Sequence, residues 1–452
     1  MREYVPGFLL AVAALFLLTP AAAEAQRPAA GSQTLVLSNV TVVDGNGGPA
    51  RHGRTLIISG GRIVNIYPAG SRRPPAGATV LDLRGHYVIP GLIDSHYHFM
   101  PGHWPGAEGV ARRRFAFLSG VTTARDMAGD AAALAELARD AARADVQAPR
   151  VYYSALMAGP EWFGDRRAAE ISHGLPAGQA PWARAVTADT DIPKAVAEAK
   201  AAGVVAVKLY ERLDAALVAK VTREAHRQGL KVWSHSAIFP ARPVDAVAAG
   251  VDSVSHSDGL VYAAYGPPEA VWDSYRRLDW RGVSPDAEAV VALLRRMRKG
   301  GTVLDATLHL YGEMVAAEMA KEESKRSEWE LGRAEWAYAV TRLAHRLGVS
   351  IVAGTDLPER PRRRDFANIH LEMELLVTKA GMTPAEAITA ATRDGARLLG
   401  IEKTYGTVAA GKVADLVVLS ADPLRDIRNT RKVVYVIKAG HVHKSEKVVM
   451  PE

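Results

Sequence analysis

Val88-Ile89-Pro90-Gly91-Leu92-Ile93-Asp94-Ser95-His96-Tyr97-His98 reads as the greater part of a buried apolar strand, 87–98, that ends in two histidines. Residues two apart on a strand point to one face, so the imidazoles of His96 and His98 can grip one ion together. The pair alone is weak evidence, because two surface histidines would look the same. Its surroundings decide the reading. Downstream, apolar strand-like runs alternate with alanine-rich helical stretches. The further strand candidates are 121–127, 150–156, 204–210, 231–236, 251–257, 302–308 and 349–356. Helical stretches include 131–143, 192–202, 213–228, 286–298, 329–347 and 369–380. Asp191 and Thr383 read as N-caps, with Pro193 and Pro384 in the first helical turn. Eight strands in βα alternation predict an α/β chain folded as a (β/α)8 TIM barrel. A doubly wound sheet is the alternative, but it usually has fewer strands. Three long connections, 157–190, 258–285 and 309–327, each follow a strand. In a barrel they lie at the catalytic rim.

Outside the barrel the texture is β. Short β-branched runs at 35–43, 55–58, 62–66 and 79–83 are broken by Asp44-Gly45 and Gly60-Gly61 turn signals. Such a segment is too small to be stable alone. Matching runs appear at 406–408, 415–419, 432–438 and 441–444. The simplest arrangement joins both ends in one small β-sandwich domain, 34–86 with 401–446, around a barrel over 87–400.

The first residues read as an address. An apolar run over 8–18 follows Arg2 and precedes Pro20 and the small-x-small pattern Ala23-Glu24-Ala25. A signal peptide over 1–25 is expected, and with it export to the periplasm or beyond. The run is too short to remain as a membrane anchor, and without twin arginines the Sec route is expected.

Composition narrows the classes. Of 452 residues 48% are hydrophobic and 23% charged, which are globular proportions. The absence of cysteine excludes a disulfide scaffold, a thiol nucleophile and thiolate-bound zinc. The net charge is +7, but basic residues such as Arg112 to Arg114 and Arg362 to Arg364 carry no aromatic interleaving. Nucleic acid is therefore not an expected partner. A small-molecule substrate is, and a homo-oligomer is left open.

Further chemistry sits at other strand ends. Lys208 lies among apolar neighbours in 204–210, an expensive place for a bare ammonium. A snorkelling or ion-paired lysine is the plain reading; an amine of lowered pKa is the functional one. A neutral amine reacts with CO2 to a carbamate, a bidentate group able to bridge two cations. Tyr210 shares its face and projects toward substrate. His235 and His256 end consecutive strands, and Asp356 ends the eighth. An aspartate there often caps the next helix, but Pro358 and the arginine-rich 360–364 stretch delay that helix. Four histidines, one lysine and one aspartate thus converge on one rim. Nitrogen and oxygen ligands without thiolate suit zinc, or else manganese, cobalt or nickel. His173 and His309 lie on rim loops where they could touch substrate. So do Trp162, Phe163, Trp182, Tyr262 and Tyr265. His441 and His443 repeat the H-x-H spacing, but in the terminal β segment, and are rejected as a site.

The opening strand resembles the signature of the amidohydrolase superfamily. So do Gly120-Val121-Thr122-Thr123-Ala124-Arg125-Asp126-Met127 and the closing stretch from Gly381-Met382-Thr383-Pro384-Ala385-Glu386-Ala387 to Gly411-Lys412-Val413-Ala414-Asp415-Leu416-Val417-Val418. The resemblance spans nearly all of 35–445 and is closest to the imidazolonepropionase-like and prolidase-like branch. It implies a distorted (β/α)8 barrel beside a β-sandwich. It further implies that His96 and His98 bind a buried metal, His235 and His256 an exposed one, and carboxylated Lys208 bridges both. Asp356 would touch the buried metal and act as general base. The implied cofactors are two divalent ions, zinc first, and a CO2-derived carbamate on Lys208. Deaminases and imidazolonepropionases of this superfamily resemble one another in carrying a Glu three residues after the strand-five histidine; here Ile238 stands there. The expected activity is hydrolysis of a C–N bond in an N-acyl amino acid, dipeptide or cyclic amide. The alternatives are a lactonase or phosphotriesterase, a mononuclear deaminase, and a catalytically silent binding protein.

Overall fold

The structure is a computed structural model that describes residues 34–99, 106–265 and 278–451. The expected leader over 1–25 lies outside the described residues.

The N-terminal strands are β1 (Leu35–Val42), β2 (Arg51–Ser59), β3 (Arg62–Pro68), β4 (Thr79–Asp82) and β5 (Tyr87–Pro90). The barrel strands are β6 (Leu92–Tyr97), β7 (Val121–Asp126), β8 (Arg150–Ala158), then, after the short β9 (Gln179–Ala180) and β10 (Ala183–Ala185), β11 (Ala206–Leu209), β12 (Lys231–His235), β13 (Ser253–Ser255), β14 (Val303–Asp305) and β15 (Ile351–Val352). The chain finishes with β16 (Leu416–Leu419), β17 (Val433–Lys438) and β18 (His441–Lys444).

β6, β7, β8, β11, β12, β13, β14 and β15 pair in parallel, in that order. Ser95 N–H donates to the Ala353 carbonyl at 2.8 Å and Thr355 N–H to that of His96 at 3.1 Å, which joins the first strand to the segment after the last. The ring is a (β/α)8 barrel, as the βα alternation predicts. β6 and β7 are buried at every position, the mark of parallel strands covered on both faces.

The predicted strand 87–98 divides at Pro90-Gly91. β5 pairs with β1 and β16 in the terminal sheet, while β6 enters the barrel. Gly91 is the pivot. Its N–H donates to Asp415, and a Cβ there would lie 2.2 Å from Thr122 Oγ1, so only glycine fits between the two bodies.

The terminal strands form one hydrogen-bonded sheet, β18-β17-β16-β5-β1-β2-β3, with β4 also on β1. It bends back on itself, because Ile63 exchanges backbone hydrogen bonds with Lys412 and Gly411 just before β16. Leu37, Val42, Leu56, Ile58, Leu416 and Ile437 fill the fold of that sheet. A buried Lys438 latches it to the barrel by donating to the carbonyls of Val146 and Ala148 at 3.0 and 2.7 Å.

Asp191 and Thr383 cap helices Ile192–Ala201 and Pro384–Thr389 as expected, Thr383 in a capping box with Glu386. The expected loop 309–327 is corrected: it begins with a helix, Leu308–Met319. The lack of a side chain at Gly312 within that helix serves packing, since a Cβ there would lie 2.9 Å from Leu375 Cδ1. Among the described residues no helix is long and apolar enough to cross a membrane.

Candidate metal centre

Five of the eight barrel strands deliver six chemical groups to the same mouth of the barrel. His96 lies within β6 and His98 just beyond it; Lys208 lies in β11. His235 ends β12, His256 follows β13 and Asp356 lies past β15. All six line one cavity of about 350 Å³. Parallel strands in a barrel place their C-terminal ends on one face, so this convergence follows from the topology. His256, Thr307 and Asp356 adopt left-handed backbone, with φ of 69°, 51° and 61°. Such conformations cost a non-glycine residue roughly 1–3 kcal/mol and gather where side chains must be re-aimed.

The geometry is tight. Asp356 Oδ1 lies 3.1 Å from His96 Nε2 and 3.3 Å from His98 Nε2. Ligand atoms of these three residues lie within 4.8 Å of one another, a spacing that can hold one metal ion. The His235 and His256 rings are 4.6 Å apart, and His256 is 4.9 Å from His96. Lys208 Nζ donates to Ser255 Oγ at 3.3 Å.

Protein partners fix which ring nitrogen faces inward. The single proton of the Thr307 hydroxyl goes to the Ala306 carbonyl, so that oxygen accepts from His256 Nδ1–H at 2.9 Å. Asp305 Oδ2 accepts from His96 Nδ1–H at 2.6 Å. His235 Nδ1 lies 3.0 Å from the Ala237 carbonyl and 3.3 Å from the Ala237 backbone nitrogen, so its partners do not choose one tautomer. With Nδ1 engaged by protein, Nε2 of His96 and of His256 is the nitrogen left to offer a lone pair to a divalent ion. The donor set fits hard-to-borderline cations without thiolate.

Electrostatics agree. Burial pushes Lys208 down to about 7, with Arg125 adding to the effect against Asp305. Burial and Lys208 push His235 down to about 3, and burial drives His256 well below the usual histidine range. Burial would raise Asp356, but His96 and His256 outweigh it and hold the carboxyl well below the usual carboxylate range. Two neutral imidazoles, a weakly basic amine and an ionised carboxylate thus share one space.

Tyr210 lines the cavity, its ring edge-on to His235 at 5.3 Å and to Trp162, also in the wall, at 5.5 Å. His173 and His309 are not brought to the wall. His173 stands more than half exposed on Asp130. His309 belongs to the helix Leu308–Met319, and is buried behind Asp356 with Nδ1 on the Thr355 carbonyl at 3.2 Å. His443 donates toward the Ala144 carbonyl in the terminal sheet, far from this chemistry.

Two features escape sequence reasoning. Asp258, two residues past His256, lines the cavity with Arg333, whose Nε donates to its Oδ2 at 2.6 Å. Asp305 ends β14 beneath His96 and is completely buried. Its position at the end of a barrel strand was the available signal, the same one that singles out Asp356.

The family model described as amidohydrolase family matches residues 87–443. An imidazolonepropionase from Chromobacterium violaceum is 26% identical over 402 residues, covering 82% of this chain and 86% of its own. The crystal structure of a putative prolidase from Bifidobacterium longum superposes with a TM-score of 0.69 at 26% identity, covering 91% of this chain and 94% of its own. A Xaa-Pro dipeptidase with bound methionine shares the fold with a TM-score of 0.69 at 21% identity, covering 91% and 100%.

Proposed function

The chain belongs to the amidohydrolase family, and from that premise we propose that it is a two-metal hydrolase of C–N bonds in small molecules. The substrates proposed are N-acyl amino acids, dipeptides or cyclic amides. The observation that carries this reading is Lys208. Its amine lies buried in the same cavity wall as His96, His98, His235 and His256. As a carbamate it would supply the anionic bridge that two cations need. His96, His98 and Asp356 would hold one ion, His235 and His256 the other, with zinc as the proposed metal.

Divalent ions held there would acidify the attacking water and polarise the scissile carbonyl. The remaining work falls to the chain. Asp356, kept ionised by its histidine neighbours, orients the water and takes its proton. The same carboxyl then passes that proton to the leaving nitrogen. Tyr210 and Trp162 wall the substrate space above Lys208.

A mononuclear deaminase has one observation in its favour, since His96, His98 and Asp356 alone can hold a single ion. Against it, Ile238 is fully buried and apolar where those relatives resemble one another in carrying a proton-shuttling Glu. We further propose export to the periplasm or beyond, with removal of a leader over 1–25.

Metal analysis with a substrate panel tests the reading. About two metals per chain and turnover of amides are expected. Turnover of lactones or phosphotriesters alone would replace the amide assignment. One metal with indifference to bicarbonate favours the deaminase. No tightly bound metal and no hydrolysis after metal addition leaves a silent binding protein.

A further inference from the structure

We infer that Asp305 is a positioning residue which sets both halves of the proposed metal centre at once, gripping His96 directly and Lys208 through Ser255. The inference rests on the two-metal reading and concerns residues that touch neither substrate nor ion.

Asp305 and Arg125 are both completely buried, inside the barrel beneath the cavity. One carboxylate oxygen, Oδ2, gathers three donors: His96 Nδ1 at 2.6 Å, Arg125 NH2 at 2.7 Å and Ser255 Oγ at 3.0 Å. Arg125 is itself fixed, by Ser253 Oγ at 3.0 Å, by the Ser95 carbonyl and by stacking over Trp233 at 4.6 Å. The carboxylate therefore cannot turn without breaking a web that spans β6, β7, β13 and β14. Because Ser255 spends its proton on Asp305, its oxygen is oriented to accept from Lys208 Nζ. The other oxygen, Oδ1, has no hydrogen-bond partner among the described residues and packs where a Cβ on Gly354 would lie 2.4 Å away. The backbone of Gly354 thus approaches both the carboxylate and His96 closely.

This arrangement does three things. It holds the His96 tautomer with Nε2 inward. It raises the basicity of that nitrogen, as a carboxylate behind a ligating imidazole does. It also ties the distance between His96 and Lys208 to one rigid anchor. Removing such a partner typically lowers metal affinity about 10–100-fold.

The test uses the full chain freed of metal, with Asp305→Asn and Ser255→Ala. Zinc affinity is read by competition with a chromophoric chelator, and site geometry by the visible absorption of the cobalt-substituted protein. For Asp305→Asn the tightest zinc site should weaken about 10–100-fold and the cobalt spectrum should change. For Ser255→Ala, which leaves the buried ion pair intact, the tight site should hold while uptake of the second ion weakens. Thermal melting of the metal-free proteins separates a merely structural role, which moves the melt and leaves cobalt geometry alone. Zinc affinities within threefold of the parent and an unchanged spectrum in Asp305→Asn overturn the inference. Should that variant not fold, unchanged uptake of both ions by Ser255→Ala overturns it instead. A parent chain that binds no zinc at all defeats the two-metal reading itself, a different result.

Discussion

Oδ1 of Asp356 lies 3.1 Å from Nε2 of His96, at the seam where the last barrel strand meets the first. The carboxylate is placed by backbone, since its own N–H donates to the His96 carbonyl at 2.8 Å and its φ is 61°. An Asp356→Asn side chain would keep that backbone and an oxygen for an ion, but it could not take a proton. Metal content should stay close to that of the parent while turnover falls about 10²–10⁴-fold. Activity within about threefold of the parent would remove Asp356 from the role of base.

Lys208 offers a chemical rescue. Its amine is 3% exposed and burial holds it down to about 7, so a neutral, nucleophilic form is accessible near neutral pH. Lys208→Ala should abolish most hydrolysis, and acetate or another short carboxylate should restore part of it by filling the bridge. Kinetics at rising acetate concentration measure this. A variant that is fully active without acetate, or one that loses no metal and gains nothing from acetate, argues against a bridging carbamate.

The six strand-end groups were legible because each closes an apolar run, and a barrel sends all such ends to one face. The strands themselves were read too long. β13, β14 and β15 are only two or three residues each, and positive-φ backbone follows them at His256, Thr307 and Asp356. Nothing in residue type announces that: positive φ at a histidine and a threonine is set by tertiary packing. His309 was read on a rim connection over 309–327, where a histidine reads as a substrate contact, but that segment opens with the helix Leu308–Met319. Asp305 was passed over because its strand was read as 302–308, three residues too long, which hid its place at the strand end; its three donors then identify it.

Glu359 should impose a pH dependence on stability. It is 1% exposed, and burial pushes its carboxyl up to about 8 although the Asn368 N–H donates to it. The folded value lies above the unfolded one, so the stability it contributes is full below about pH 4 and is lost as pH rises through about 8. Glu359→Gln mimics the protonated form and removes that loss. Between pH 5 and 8.5 the metal-free parent should lose stability faster than the variant, by on the order of a few kcal/mol. Glu211, pushed up to about 7 by burial, slopes both curves alike, whereas Asp94, also pushed up to about 7 by burial, faces Glu359 and shifts with it, so the difference reports Glu359 together with its coupling to Asp94. Parallel melting curves across that range would show the carboxyl titrating normally.

Gly354 sets how closely the seam can close. A Cβ there would lie 2.4 Å from Asp305 Oδ1, 2.6 Å from His96 Cβ and 2.9 Å from His96 N. None of these atoms is the loose end of a flexible side chain. Two belong to strand β6, and the third belongs to a carboxylate held by three donors. Gly354→Ala must therefore move β6 or break the Asp305 web, and overpacking of this kind costs about 1–3 kcal/mol. The displacement falls on His96, so zinc affinity should drop along with the melting temperature. Gly300→Ala provides the control, because the nearest atom to its Cβ would be Thr302 Oγ1 at 4.0 Å, at the end of the helix Glu288–Gly300. That variant should stay within about 0.5 kcal/mol of the parent and bind zinc as the parent does. If Gly354→Ala also binds zinc like the parent, the seam has slack, and close approach at Gly354 does not set the position of His96.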